Sequence, residues 1–171
     1  KIPEGKRRKV EEITLDMAGS MKLISRKCFP TATRVIDRFH VQQLATEAVQ
    51  EIRIKYRWQA IDQENEAIKV AKKNNLSYQA EVFTNGDSRK QLLARSRFIL
   101  FKSPEKWTNS QKIRATILFN EYPKIQQAYE LSNQLRCVYN NCKDKGVAMT
   151  KLAKWYNEVE LSNFKSFRIV M

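Results

Sequence analysis

Two aspartates in the first forty residues stand where a strand can hold a carboxylate toward a ligand. Residues 10–17, VEEITLDM, alternate, with Val10, Glu12, Thr14 and Asp16 on one side and Glu11, Ile13, Leu15 and Met17 on the other. That pattern predicts a half-buried strand with Asp16 at its C-terminal end. Residues 33–38, TRVIDR, read as a second strand, with Asp37 in the matching place and His40 three residues on. In open α/β sheets the C-terminal strand ends border the ligand crevice, because the strand fixes the group while its end stays accessible. Two carboxylates at neighbouring strand ends could bind a divalent cation, which prefers oxygen ligands and can activate water for phosphoryl transfer. Two plainer roles compete: Asp37 could simply cap the following helix, and His40 in a first helical turn could be purely structural.

Other catalytic templates are missing. The four glycines, Gly5, Gly19, Gly86 and Gly146, lie too far apart for a phosphate loop. There is no GxSxG, and a single histidine confines any triad to His40. Three cysteines, Cys28, Cys137 and Cys142, form no CxxC, which argues against a disulfide framework and a Cys/His zinc site and makes a reducing cytoplasm the default. Cys137 and Cys142 fall on different sides of a helix and read as buried thiols. Trp58, Trp107 and Trp155 read as core anchors, with Trp107 the best exception as a stacking platform.

The elements that must position the two aspartates follow from the pattern around them. A short helix on Met21, Ile24 and Cys28 has to stop near Phe29-Pro30, since proline disfavours helix in the residue before it. Strand, crossover helix and strand within about 30 residues make a βαβ unit, so the strands are expected to be parallel. Parallel pairs imply a larger, covered sheet, and the rest of this chain offers no strands for one. From His40 the sequence turns helical. Val41, Leu44, Ala45, Ala48 and Ile52 predict a helix running to about Asn74. Residues 75–87 read as a linker, and Ser88 with Gln91 as a capping box opening a helix through Ile99 or Phe101. Ser103-Pro104 opens a short turn, Thr108 with Gln111 caps a further helix, and Pro123 starts one ending at Asn140-Asn141. Gly146 separates that from a last helix on Met149, Leu152, Ala153 and Tyr156. The expected fold class is mainly α with a small α/β part.

Composition agrees. Among 171 residues only 4 are Gly and 4 Pro, too few for a sandwich or barrel of many short strands. At 42% hydrophobic the chain is too apolar for a disordered polycation. No apolar run approaches the ~18 residues that span a bilayer, and none near residue 1 resembles a signal peptide, so no membrane role is expected. The net charge of +14 points to a polyanion. Half of it lies in residues 89–124, where Arg89, Lys90, Arg95, Arg97, Lys102, Lys106, Lys112, Arg114 and Lys124 face only Glu105 and Glu121. The first eight of these are the candidate DNA-binding residues, their expected binding non-specific and salt-sensitive. Solvated helix faces are the competing reading, and Arg95 or Arg97, flanking an apolar stretch, could instead pair with a buried acid. The Lys6-Arg7-Arg8-Lys9 run reads as a solvated loop before the first strand.

Residues 10–49, with Asp16-Met17, Phe29-Pro30 and Asp37-Arg38-Phe39-His40-Val41 in order, resemble the central block of bacterial insertion-sequence transposases of the DDE type, in the ISL3 group. Residues 94–131 look like that group's helical region. The resemblance implies an RNase H-like core in which three carboxylates bind two divalent metals, Mg²⁺ or Mn²⁺. On that match Asp16 is the second carboxylate of the triad, while Asp37, a candidate metal ligand by its strand-end position, and His40 belong to a block near the site to which the match assigns no role. It also implies attack of water, then of a 3′-hydroxyl, on DNA phosphodiesters, with transposon ends and target DNA as partners. Residues 1–45 are then a partial RNase H-like βαβ core and residues 46–171 a helical insertion domain. The first Asp and the Glu of the triad are expected outside this chain. A lone internal fragment of this kind is expected to be inactive and not to hold metal stably. A homo-oligomeric complete protein stays open, as does a non-catalytic helical DNA-binding or protein-interaction module.

Overall fold

The computed structural model describes residues 2–171. The chain divides into two compact units, the first ending at Leu44 and the second spanning Ala45–Met171. The first unit holds α1 (Glu4–Arg7), β1 (Glu12–Leu15), α2 (Gly19–Cys28) and β2 (Thr33–Ile36). The β-strands are parallel, in the register Glu12↔Thr33 to Leu15↔Ile36, and α2 is the crossover. The ladder runs past both ends of β2, since Thr33 N–H donates to Glu11 O at 2.8 Å and Asp37 N–H to Leu15 O at 2.7 Å. As expected, α2 stops before Phe29-Pro30. Lys6 and Arg7 lie in α1 rather than in a loop, because Lys6 and Arg7 N–H close onto Pro3 O.

This small sheet is thinly covered. Leu15 and Ala32 are buried, but all four residues of β2 are exposed, and Met17, Met21, Ile24, Ile36 and Phe39 are 42–67% exposed. A two-stranded sheet is the whole of the β structure among the described residues apart from an isolated bridge between Val82 and Ser88.

The division between the units falls within α3 (Arg38–Lys73), which begins two residues before His40. The second unit continues with α4 (Arg89–Arg95), α5 (Asn109–Glu121), α6 (Pro123–Asn141) and α7 (Lys145–Ser162), with 3₁₀ turns at Pro104–Lys106 and Lys165–Ile169. Its core is built on Val49, Leu92, Leu93, Ile99, Leu100, Leu118, Ile125, Leu135, Val159 and Phe167, each at most 2% exposed. Polar groups fix the packing. Trp155 Nε1 donates to Leu131 O at 2.8 Å, Trp107 Nε1 to Ile99 O at 2.9 Å and Tyr129 Oη to Lys102 O at 2.7 Å. Burial raises the Tyr129 phenol well above its ordinary pKa. Arg53, also buried, donates to Gln50 Oε1 at 2.7 Å and Leu93 O at 2.8 Å, tying α3 to α4.

Several boundaries differ from the sequence expectation. Helix α4 ends at Arg95 rather than at Ile99 or Phe101. Ser96 Oγ donates back to Leu92 O at 2.6 Å, and the following turn sends Ile99 and Leu100 into the core while Phe98 stays 66% exposed. Gly146 lies inside α7, since Asp144 is the N-cap and its Oδ1 accepts from Val147 N–H at 2.8 Å. Trp107 stacks on Tyr129 at 5.5 Å and Trp155 is buried, so both are core anchors, whereas Trp58 is 62% exposed. Cys137 is exposed and Cys142 intermediate, so neither is a buried thiol. The Thr108 cap forms with Gln111 N–H donating to Thr108 Oγ1 at 3.3 Å and Thr108 N–H to Gln111 Oε1 at 3.2 Å. Thr108→Ala is expected to cost about 1 kcal/mol, read from a urea midpoint.

Candidate functional site

Asp16 follows the last residue of β1 and Asp37 the last residue of β2, and the register pairs Leu15 with Ile36. The ladder therefore delivers both aspartates at the same edge of the sheet. Each uses one carboxylate oxygen locally. Asp16 Oδ1 accepts from Ala18 N–H at 2.9 Å, shaping the turn into α2, and Asp37 Oδ1 accepts from Phe39 N–H at 2.9 Å at the start of α3. The helix-start role weighed for Asp37 is thus present. Its other oxygen lies 4.0 Å from His40 Nε2, and the His40 ring packs edge-on against Phe39. Asp16 Oδ2 has no hydrogen-bond or ion-pair partner among the described residues, and the residue is exposed.

A carboxylate with one oxygen fixed by a backbone N–H and the other uncommitted suits a single Mg²⁺ ligand, because Mg²⁺ takes one or two carboxylates and fills its shell with water and phosphate. Among the described residues no group of three or more His, Cys, Asp or Glu side chains comes together to hold a metal ion. Asp16 thus fits a metal as one contributor, and these residues do not complete a site.

The eight basic candidates split into two sets. Arg95 and Arg114 both bind Asp87, Arg114 Nε at 2.8 Å from Oδ2 and Arg95 Nη1 on Oδ1. The Asp87 side chain is fully buried, and Asn85 Nδ2 donates a third bond to it at 2.9 Å. Burial pushes this carboxyl up, yet the hydrogen bonds and charges of Arg114 and Arg95 outweigh it and hold its pKa below the ordinary value. Arg89 donates to Glu121 Oε2 at 3.0 Å and lies over the Phe83 ring, while Lys90 Nζ is 2.8 Å from Glu64 Oε2. All four are engaged by carboxylates, although Arg95 and Arg114 share one, so that cluster keeps a single positive charge. Arg97, Lys102, Lys106 and Lys112 are exposed and make no ion pair among the described residues, although the Arg97 guanidinium lies 5.4 Å above the Phe98 ring. They are the ones among these eight able to meet phosphates.

The sequence pattern alone does not single out Asp87, the last residue of the expected 75–87 linker. The signal was the run Asn85-Gly86-Asp87-Ser88, in which Gly86 takes the left-handed conformation (φ 79°) of a tight turn. Phe83 N–H donates to Asp87 O at 2.9 Å across that turn, which sets the acid directly before the Ser88 N-cap.

A family model of the DDE ISL3 type, described as Transposase, matches residues 1–171. No curated protein and no solved structure matches the chain. No helix among the described residues is long and apolar enough to cross a membrane.

Proposed function

The chain belongs to the ISL3 family of transposases, and from that premise we propose that it supplies one carboxylate and a DNA-contacting helical unit to a metal-dependent DNA transposase acting in the cytoplasm. The substrate class is DNA, both insertion-sequence ends and target. The observation that carries the reading is Asp16, placed by the β1–β2 ladder at the strand end with one oxygen tied to Ala18 N–H and the other uncommitted. Asp16 holds a divalent cation together with carboxylates supplied from elsewhere in the complete protein. A bound divalent cation supplies activation of the attacking water and stabilisation of the leaving oxygen. Asp37 keeps the start of α3 in place through Phe39 N–H and faces His40, so its part is to support the edge on which Asp16 sits. Arg97, Lys102, Lys106 and Lys112 contribute salt-sensitive contacts to the phosphate backbone.

On this reading the 171-residue chain by itself neither cleaves nor joins DNA in Mg²⁺ or Mn²⁺, because no three-ligand group forms among its described residues. The test is a cleavage and strand-transfer assay on labelled insertion-sequence ends with the purified chain beside the complete transposase. Activity confined to the complete protein is expected, and robust cleavage by the chain alone overturns the proposal. A complete protein that binds DNA but is equally inert would leave the chain as a non-catalytic helical DNA-binding module.

A further inference from the structure

Within the second unit, a groove of about 530 Å³ opens between the middle of α3, the start of α6 and the segment after α7. Its walls carry three lysines from three separate stretches of chain, Lys55, Lys124 and Lys165, against one acid, Glu51. All three lysines are exposed, and none makes an ion pair among the described residues. This contrasts with Arg89 and Lys90, each paired with a carboxylate, and with Arg95 and Arg114, which share Asp87. Lys124 also sits in the first turn of α6, a helix of 19 residues whose N-terminal N–H groups add partial positive charge. Ser166 lines the same groove, and its hydroxyl oxygen is buried without a hydrogen-bond partner among the described residues.

We propose that this groove is a second DNA contact, in which Lys55, Lys124 and Lys165 grip backbone phosphates. Lysine ammoniums on flexible stems act as point charges on phosphate and read no base, so the contact is non-specific. The single carboxylate, Glu51, opposes it and sets its strength. The proposal rests on the reading of the chain as part of a DNA-handling protein, and it names where that handling takes place.

The experiment measures binding of the 171-residue chain to a labelled 30-bp duplex by fluorescence anisotropy across about 50–200 mM salt. The triple variant Lys55→Ala/Lys124→Ala/Lys165→Ala is expected to bind at least about tenfold more weakly at 100 mM salt. Its plot of log affinity against log salt should be flatter by about 2–3, because each phosphate contact contributes about 0.9 to the slope. A control of equal charge, Lys143→Ala/Lys145→Ala/Lys151→Ala, should change the slope far less. Glu51→Gln should tighten binding severalfold, a gain that a purely structural role would not produce. Inorganic phosphate at millimolar concentration should compete only weakly, since isolated phosphate lacks the repeat that spans three lysines. A groove variant with wild-type affinity and slope, or one matched by the control triple, overturns the groove while the DNA reading stands. Strong competition by inorganic phosphate would make the groove a site for a small anion and overturn it as a backbone contact. A wild-type chain that fails to bind duplex at any salt removes both.

Discussion

Asp16→Asn in the complete transposase is expected to lower DNA cleavage and strand transfer about 10³-fold or more, with DNA affinity within about twofold of wild type. Asparagine has the size of aspartate and keeps an oxygen able to accept from Ala18 N–H, so the turn into α2 is preserved. What disappears is the anionic character of the second oxygen, the one without a partner. Losing the proposed metal ligand would remove several kcal/mol of stabilisation of the charge on the attacking and leaving oxygens, and about 4 kcal/mol corresponds to a thousandfold in rate. The basic residues proposed to contact the DNA backbone are untouched, which is why binding should persist. Cleavage at the wild-type rate would take Asp16 out of the mechanism. Asp37→Asn is the informative companion: the Phe39 N–H contact survives, so a much smaller loss is expected there.

Asp87→Ala is expected to destabilise the second unit by about 3 kcal/mol and to lower its melting temperature by roughly 6–12 °C. The carboxylate is fully buried and joins the 83–88 turn to α4 through Arg95 and to α5 through Arg114. Removing it leaves Arg114, only 21% exposed, without its partner, whereas Arg95, 55% exposed, regains water easily. Arg114→Ala should therefore cost more than Arg95→Ala, for which at most about 1 kcal/mol is expected. The pair also makes stability depend on acid. Because the folded-state pKa of Asp87 lies below its unfolded value, its contribution is complete above about pH 4 and fades as pH falls through the folded value. Thermal melts from pH 7 to pH 2 should show wild type losing stability below about pH 4 by more than Asp87→Asn does. Parallel curves would mean that the carboxylate contributes no charge-dependent stability. Substituting Arg95 and Arg114 to test DNA binding would for the same reason disturb folding first.

Where a single local rule dominates, the sequence was easy to read. The βαβ unit follows from alternation in residues 10–17, the Phe29-Pro30 stop and the β-branched Thr33, Val35 and Ile36. The start of α5 follows from one cap, and the long α3 from the stripe beginning at Val41. Asp16 and Asp37 were placed at strand ends because strand position depends on near neighbours in sequence. Partnership between distant residues is different. The apolar stretch beside Arg95 and Arg97 hints that one of them meets a buried acid, but nothing local singles out Arg95, or Arg114 from the unpaired Lys112, because Asp87 lies 8 and 27 residues away. Burial was equally opaque where pattern alone decided. Cys137 lies between the buried Leu135 and Val138 of α6 yet faces out, and Trp58 sits on a helix whose apolar stripe passes beside it. The early end of α4 falls at Ser96, whose N–H and hydroxyl both bond Leu92 O, and the turn beyond it buries Ile99 and Leu100.

The placement of the three tryptophans governs what optical measurements on this molecule can see. Trp58, Trp107 and Trp155 all lie in the second unit, and none lies in residues 1–44. Trp107 and Trp155 have their indole N–H groups bonded to backbone carbonyls, while Trp58 is already open to water. The change in emission on unfolding therefore comes mainly from two chromophores in one helical core. The β1–β2 ladder, with Asp16 and Asp37 at its edge, is spectroscopically silent at these wavelengths. Its loss would pass unnoticed in a fluorescence melt, and amide hydrogen exchange at Thr33 and Asp37, whose N–H groups close the ladder, is the observable that reports on it.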